Sequence, residues 1–133
     1  MTDIYLAAPY SARAAVRGNM QMLLAQGFSV SATWATGVFE GMPPHVAARQ
    51  DLEEIDACRC VVADFAEGPS TQGGMHTEIG YALARGTPVV CVGERSDRAV
   101  LLHHPALRWV AHWRSDALLK ALRVACRGEA PDA

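Results

Sequence analysis

The sequence predicts an α/β fold: one domain, a three-layer α/β/α sandwich around about five mostly parallel strands, in a flavodoxin-like or Rossmann-like order. Three observations carry this. Two continuous apolar runs, Cys60-Val61-Val62-Ala63 and Pro88 to Gly93, have the character of strands covered on both faces. Between such runs the apolar residues recur at helical spacing. Gly27 and Gly86 fall where two of those helical stretches stop.

Each element follows in turn. Ile4-Tyr5-Leu6-Ala7-Ala8 reads as a buried first strand, after which Pro9 and Tyr10 turn the chain and Ser11 is placed to cap a helix. That helix carries Val16, Met20, Leu23 and Leu24 inward, and Phe28 to Thr33 reads as strand two. Trp34 to Pro44 is a long loop holding two glycines and two prolines, and long loops in small domains are often functional. The next helix spans about His45 to Ala57, with Ala48, Leu52 and Ile55 on its buried stripe. The central strand ends at Asp64, and a Gly/Pro/Ser/Thr-rich loop, Glu67 to Gly74, leads into a helix with Ile79, Ala82 and Leu83 inward. After the strand ending at Gly93, an irregular segment reaches a short strand near Trp109-Val110-Ala111. Ser115 and Asp116 then open a last helix bearing Leu118, Leu119 and Leu122. Residues 1–127 form the expected domain and 128–133 an expected flexible tail.

Bulk properties bound the function. A chain of 133 residues, half of them hydrophobic, fits one domain with a real core. A net charge of −2 argues against a nucleic-acid polymer as partner, while leaving a single nucleoside or nucleotide open. The four cysteines, Cys58, Cys60, Cys91 and Cys126, show no CxxC spacing; they read as reduced structural thiols, with no metal site expected. The start lacks a basic region followed by an apolar stretch, and no apolar run nears the ~20 residues that cross a bilayer. The expectation is a cytoplasmic protein without membrane contact.

In doubly wound sheets, ligands sit at the carboxyl ends of the strands. That rule selects Ala8 to Arg13, Asp64 to Glu78, and Gly93 onward. Within Ser70-Thr71-Gln72-Gly73-Gly74-Met75-His76-Thr77-Glu78, the two glycines let backbone pass close to a ligand, and the helix that follows directs its first amides outward. Glu78 is expected in that first turn, where the helix field favours an ionised carboxylate by ~0.3–1 kcal/mol. Such a carboxylate can attack an anomeric carbon, as in retaining glycosidases. It can equally be an acid that only stabilises a helix start.

Three segments occur in order: Ile4-Tyr5-Leu6-Ala7-Ala8-Pro9-Tyr10-Ser11, Asp51-Leu52-Glu53-Glu54-Ile55, and Gly74-Met75-His76-Thr77-Glu78-Ile79-Gly80-Tyr81-Ala82. A Gly86-Thr87-Pro88-Val89-Val90 strand entry follows. Together they resemble the nucleoside 2-deoxyribosyltransferase family, which includes 2′-deoxynucleoside 5′-monophosphate N-hydrolases. The resemblance covers residues 4 to about 93. It implies an enzyme without a cofactor that cleaves the N-glycosidic bond of 2′-deoxynucleosides or their 5′-monophosphates. Glu78 would form a covalent deoxyribosyl ester, passed to a second base or to water.

The resemblance also implies roles for other residues. Asp51 matches a family acid that hydrogen-bonds the base or passes it a proton, although a solvated helix acid beside Glu53 and Glu54 is the plainer reading. Tyr5 matches a tyrosine that holds the nucleophile, or it is core filler. Ala8, Pro9, Ser11, Arg13, Ser70, Gly73 and Gly74 are the candidate substrate contacts, with Ser11 and Arg13 facing a 5′-phosphate or 5′-hydroxyl. Trp34 and Phe39 stack on the base or anchor their loop; base stacking contributes ~1–3 kcal/mol. Where the transferases carry an aspartate, this loop offers Ser70, Thr71 and Gln72, which leans slightly toward a phosphorylated substrate. Family members complete their sites across subunits, so a homodimer or higher homo-oligomer is expected.

Two rivals remain. A cytokinin-activating phosphoribohydrolase also places a glutamate after a Gly-rich loop, but of its PGGxGTxxE signature only Gly73, Gly74 and Glu78 are present. A nucleotide-binding sensor on the same scaffold would bind without turnover.

Overall fold

Side-chain alternation along the central strands sorts the chain into two apolar layers, one on each face of a sheet. In β1 (Thr2–Ala7), Ile4 and Leu6 face one layer while Tyr5 and Ala7 face the other. In β3 (Cys58–Phe65), Cys60 and Val62 oppose Val61, Ala63 and Phe65. In β4 (Val89–Gly93), Val90 and Val92 oppose Val89 and Cys91. The first layer is closed by α1 (Arg13–Ala25) and α4 (Asp116–Arg127), through Val16, Leu23, Leu118 and Leu122. The second is closed by α2 (Pro44–Asp56) and α3 (Gly74–Arg85), through Ile55, Met75, Ile79 and Ala82. The computed structural model describes residues 1–130.

With β2 (Val30–Ser31) and β5 (Leu107–Val110), the strands form one parallel five-stranded sheet in the order β2-β1-β3-β4-β5. This is the flavodoxin-like order. The chain leaves β1 toward the first layer and β3 toward the second, so a crevice opens between their carboxyl ends. Gly93 lets the neighbouring strand end come close. Its φ is +118°, and a Cβ there would stand 2.5 Å from the Phe65 carbonyl oxygen.

Several local expectations need correction. Strand two is only Val30–Ser31 rather than Phe28 to Thr33. At one end the Ser29 amide donates to Asp3 Oδ2 (3.0 Å), and at the other the Thr33 amide donates to Glu54 Oε1 (3.2 Å); side chains thus take up the backbone groups that a longer strand would pair. Ser11 does not cap α1: a short 3-10 turn, Tyr10–Ala12, intervenes, and the cap position is Ala12 with no side-chain bond. Leu24 and Ala48 are exposed; Leu52 and Ile55 do pack inward as expected, and the half-buried Ala47, Asp51 and Glu54 extend the inward side of α2. Strand five begins two residues earlier than expected. Ser115 does cap α4, accepting from the Leu118 amide at 3.2 Å.

All four cysteines are buried free thiols. The expected tail at 128–133 lies partly outside the described residues. Among the described residues, no helix is long and apolar enough to cross a membrane.

Candidate active site

The crevice at the switch point is a pocket of about 550 Å³. The turn after β1 contributes Ala8, Pro9 and Tyr10, the loop after β2 contributes Trp34, Gly37, Phe39 and Glu40, and α2 contributes Asp51. Ser70, Gln72, Gly73, Gly74, Met75 and Glu78 complete it from the loop and helix after β3. No Lys, Arg or His is among these lining residues.

Glu78 reaches the pocket because α3 begins at Gly74 behind Gly73, whose φ of +116° turns the chain into the helix. It is therefore the fifth helical residue, beyond the first turn where the sequence reading placed it. The expected help from the helix field is overridden by burial, which pushes the Glu78 carboxyl up to about 7. The nearby charges of Asp51 and Glu54 push the same way, and the Tyr5 hydroxyl opposes them. From an ordinary 4.5 to about 7 corresponds to about 3 kcal/mol, against at most about 1 kcal/mol from a helix terminus.

Tyr5 lies completely buried beneath this carboxylate, on the β1 face turned toward α2 and α3. Its hydroxyl donates a hydrogen bond to Glu78 Oε2. Burial first, then the Glu78 charge, raises the phenol far above its usual range, so it remains a donor. Asp51 shares the pocket. Burial and the Glu54 charge lift it to about 6, the Tyr5 hydroxyl opposing, and its Oδ1 is buried without a hydrogen-bond partner. Two carboxyls titrating near neutrality around one fixed donor are the equipment of acid–base and nucleophilic chemistry.

The remaining candidates divide. Ala8, Pro9, Trp34, Ser70, Gly73 and Gly74 line the pocket. The Trp34 indole donates to the Leu6 carbonyl at 2.8 Å, so its ring is both wall and anchor. Ser70 Oγ donates to the Gln72 carbonyl (3.1 Å) and lies 3.2 Å from His76 Nε2, while the His76 ring meets the Phe65 ring edge-on at 5.7 Å. Burial holds His76 below its usual range. Ser11 and Arg13 are not among the lining residues. Ser11 Oγ donates to Glu67 at 3.2 Å, and the Arg13 guanidinium packs over the Tyr10 ring and donates to the Tyr10 carbonyl. His103 and His104 lie on the surface past β4, where His104 Nδ1 accepts from the Ala106 amide. Asp64 is buried and accepts from the Ala66 amide at 2.8 Å, a turn bond at the end of β3.

Gln72, one of the neutral loop residues named from the sequence, lines the pocket, whereas Tyr10, Gly37, Glu40 and Met75 are lining residues that sequence reasoning did not single out. Glu54 was also passed over. Its Oε1 accepts from Ser31 Oγ, from the Thr33 amide (3.2 Å) and from Thr33 Oγ1 (2.7 Å), directly behind the pocket wall. The available signal was its spacing, three residues after Asp51 on one helix face.

Fold and site together define a doubly wound α/β protein with a carboxylate-bearing pocket at its switch point. A family model narrows the class: the one described as nucleoside 2-deoxyribosyltransferase matches residues 4–108. The chain belongs to that family. No curated protein matches it.

Proposed function

We propose that the protein cleaves the N-glycosidic bond of 2′-deoxynucleosides or their 5′-monophosphates through a covalent deoxyribosyl ester on Glu78. The observation that carries this is the Glu78 carboxylate lining the pocket with the Tyr5 hydroxyl bound to it and Asp51 on the same wall. Ionised Glu78 attacks C1′. The C1′–N bond breaks with its electron pair passing to the base, and Asp51 supplies the proton that the departing nitrogen needs. The sugar lacks a 2′-hydroxyl, so positive charge at C1′ is tolerated, and a nearby carboxylate in a partly desolvated cleft stabilises it further. In the second step Asp51 takes the proton of an incoming water or base nitrogen. The new bond to C1′ then frees the Glu78 carboxylate.

The Tyr5 hydroxyl binds one carboxylate oxygen and leaves the other for attack. Trp34 and Phe39 offer ring surface for the base. The lean toward a phosphorylated substrate, read from the neutral loop, meets an opposing consideration. The lining carries Glu40, Asp51 and Glu78 without a cation, which weighs toward an uncharged nucleoside. Neutral donors for a phosphate are the side chains of Tyr10, Ser70 and Gln72 and the first amides of α3. A second subunit completing the site, as the family implies, would alter that balance.

The test is a panel of deoxynucleosides and their 5′-monophosphates, each with and without added free base, followed by chromatography. Base released without an acceptor identifies hydrolysis, and new nucleoside formed only with an acceptor identifies transfer. Glu78→Gln should abolish either. Binding with no turnover in any sample would replace the enzyme with a sensor.

A further inference from the structure

Glu54 belongs to none of the steps above, yet its surroundings are unusual for a helix acid. It follows Asp51 by three residues, so the two carboxyls share a face of α2. One oxygen, Oε1, collects three donors from the end of β2 and the segment that follows it: Ser31 Oγ, the Thr33 amide and Thr33 Oγ1. That segment turns at once into the 3-10 turn Thr33–Ala35, which carries Trp34 into the pocket wall. The other oxygen, Oε2, is buried and without a hydrogen-bond partner. An unpaired buried carboxylate oxygen is costly unless something else is gained.

We propose that Glu54 is a positioning residue for the Glu78 reaction, one oxygen strapping the Trp34 wall to α2 and the other presenting a fixed negative charge to Asp51 and Glu78. The inference rests on the proposed function for its catalytic meaning but not for its geometry. The titratable groups facing Glu54 are Tyr5 from β1, Asp51 from its own helix and Glu78 from α3. From the β2 side it meets the uncharged Ser31 and Thr33, and β3 contributes apolar Val61 and Ala63 to this layer. No Lys, Arg or His is among the lining residues, and the Glu54 charge raises both Asp51 and Glu78. It favours keeping a proton on the Asp51–Glu78 pair, and one proton shared by that pair is what departure of the base consumes.

The two roles separate by substitution. Glu54→Gln keeps an oxygen for the three donors and removes the charge. The titrations of Asp51 and Glu78, followed by carboxyl carbon NMR on the substrate-free protein, should move down by roughly 0.5–1 pH unit. The pH–rate profile should move with them, KM changing little. Ser31→Ala with Thr33→Val keeps the charge and removes two of the donors; it should raise KM and leave the carboxyl titrations in place. Unmoved titrations in Glu54→Gln overturn the proposal. So does failure of Glu54→Gln to fold, since its amide oxygen suffices for the strap. Because the NMR arm needs no substrate, a protein inactive on every nucleoside would refute the catalytic reading while leaving this measurement decisive for Glu54.

Discussion

At the scale of single residues, the account turns on which carboxyl holds a proton. Attack requires Glu78 ionised, and departure of the base requires Asp51 protonated. Glu78 gains its proton below about 7 and Asp51 loses its own above about 6, so the productive form is a minority of the one-proton pair and activity falls below about pH 6 and above about pH 7. The expected kcat/KM profile is a narrow bell with its maximum between those values, its limbs belonging to the coupled pair. Asp51→Asn should remove the alkaline limb and lower the rate by roughly 10²–10⁴-fold for a base that needs protonation. Tyr5→Phe keeps the ring in the core and deletes the donor. It should lower kcat by about 10-fold or more with a smaller effect on KM, because the hydroxyl orients the nucleophile rather than the substrate. Steady-state rates across pH check all three.

At the scale of elements, the site depends on how closely the strand ends approach. Gly93→Ala would force a Cβ within 2.5 Å of the Phe65 carbonyl oxygen at a φ of +118°. Loss of stability by about 2–4 kcal/mol is expected in urea unfolding, with the fold either shifted at the β3–β4 mouth or lost. This scale also shows what the sequence could and could not disclose. Apolar runs at 60–63 and 88–93 announced central strands because burial on both faces leaves no polar alternation to misread. Ser115 announced α4 because capping is local, needing only the Leu118 amide. Strand two was overread, since its ends are set by Asp3 and Glu54, residues distant in the chain that no local pattern reveals. The Tyr5–Glu78 bond spans 73 residues of sequence, and only the resemblance to a family, not spacing, brought them together. Glu78 was placed in the helix field because the helix start was unmarked; Gly73 and Gly74 carry no side chain to declare which of them opens α3. Ser11 looked like a cap and a ligand contact but bonds to Glu67 outside the pocket lining.

At the scale of the whole molecule, holding two acids in a desolvated crevice sets the protein's stability against its chemistry. Both Glu78 and Asp51 bind protons more tightly folded than unfolded. Their protonated forms favour the folded state fully below about pH 4, and that contribution is lost as pH rises through about 7. Glu78→Gln removes one of these liabilities while keeping an acceptor for Tyr5. Its melting temperature should exceed the parent's at pH 8, the difference shrinking toward zero near pH 4; a difference that grows on acidification would contradict the burial of this charge. Among the described residues Asp64 is the one acid buried in the core, and it accepts from a turn amide.

The central claim is a covalent bond between Glu78 and C1′ of the sugar. Rapid-quench mass spectrometry of the protein, mixed with the substrate that the panel identifies and digested, tests it directly. The account predicts a deoxyribosyl mass increase on the peptide containing Glu78, appearing before steady state and absent from Glu78→Gln. Base release at the native rate with that peptide unmodified, or with the Gln variant still active, would contradict it.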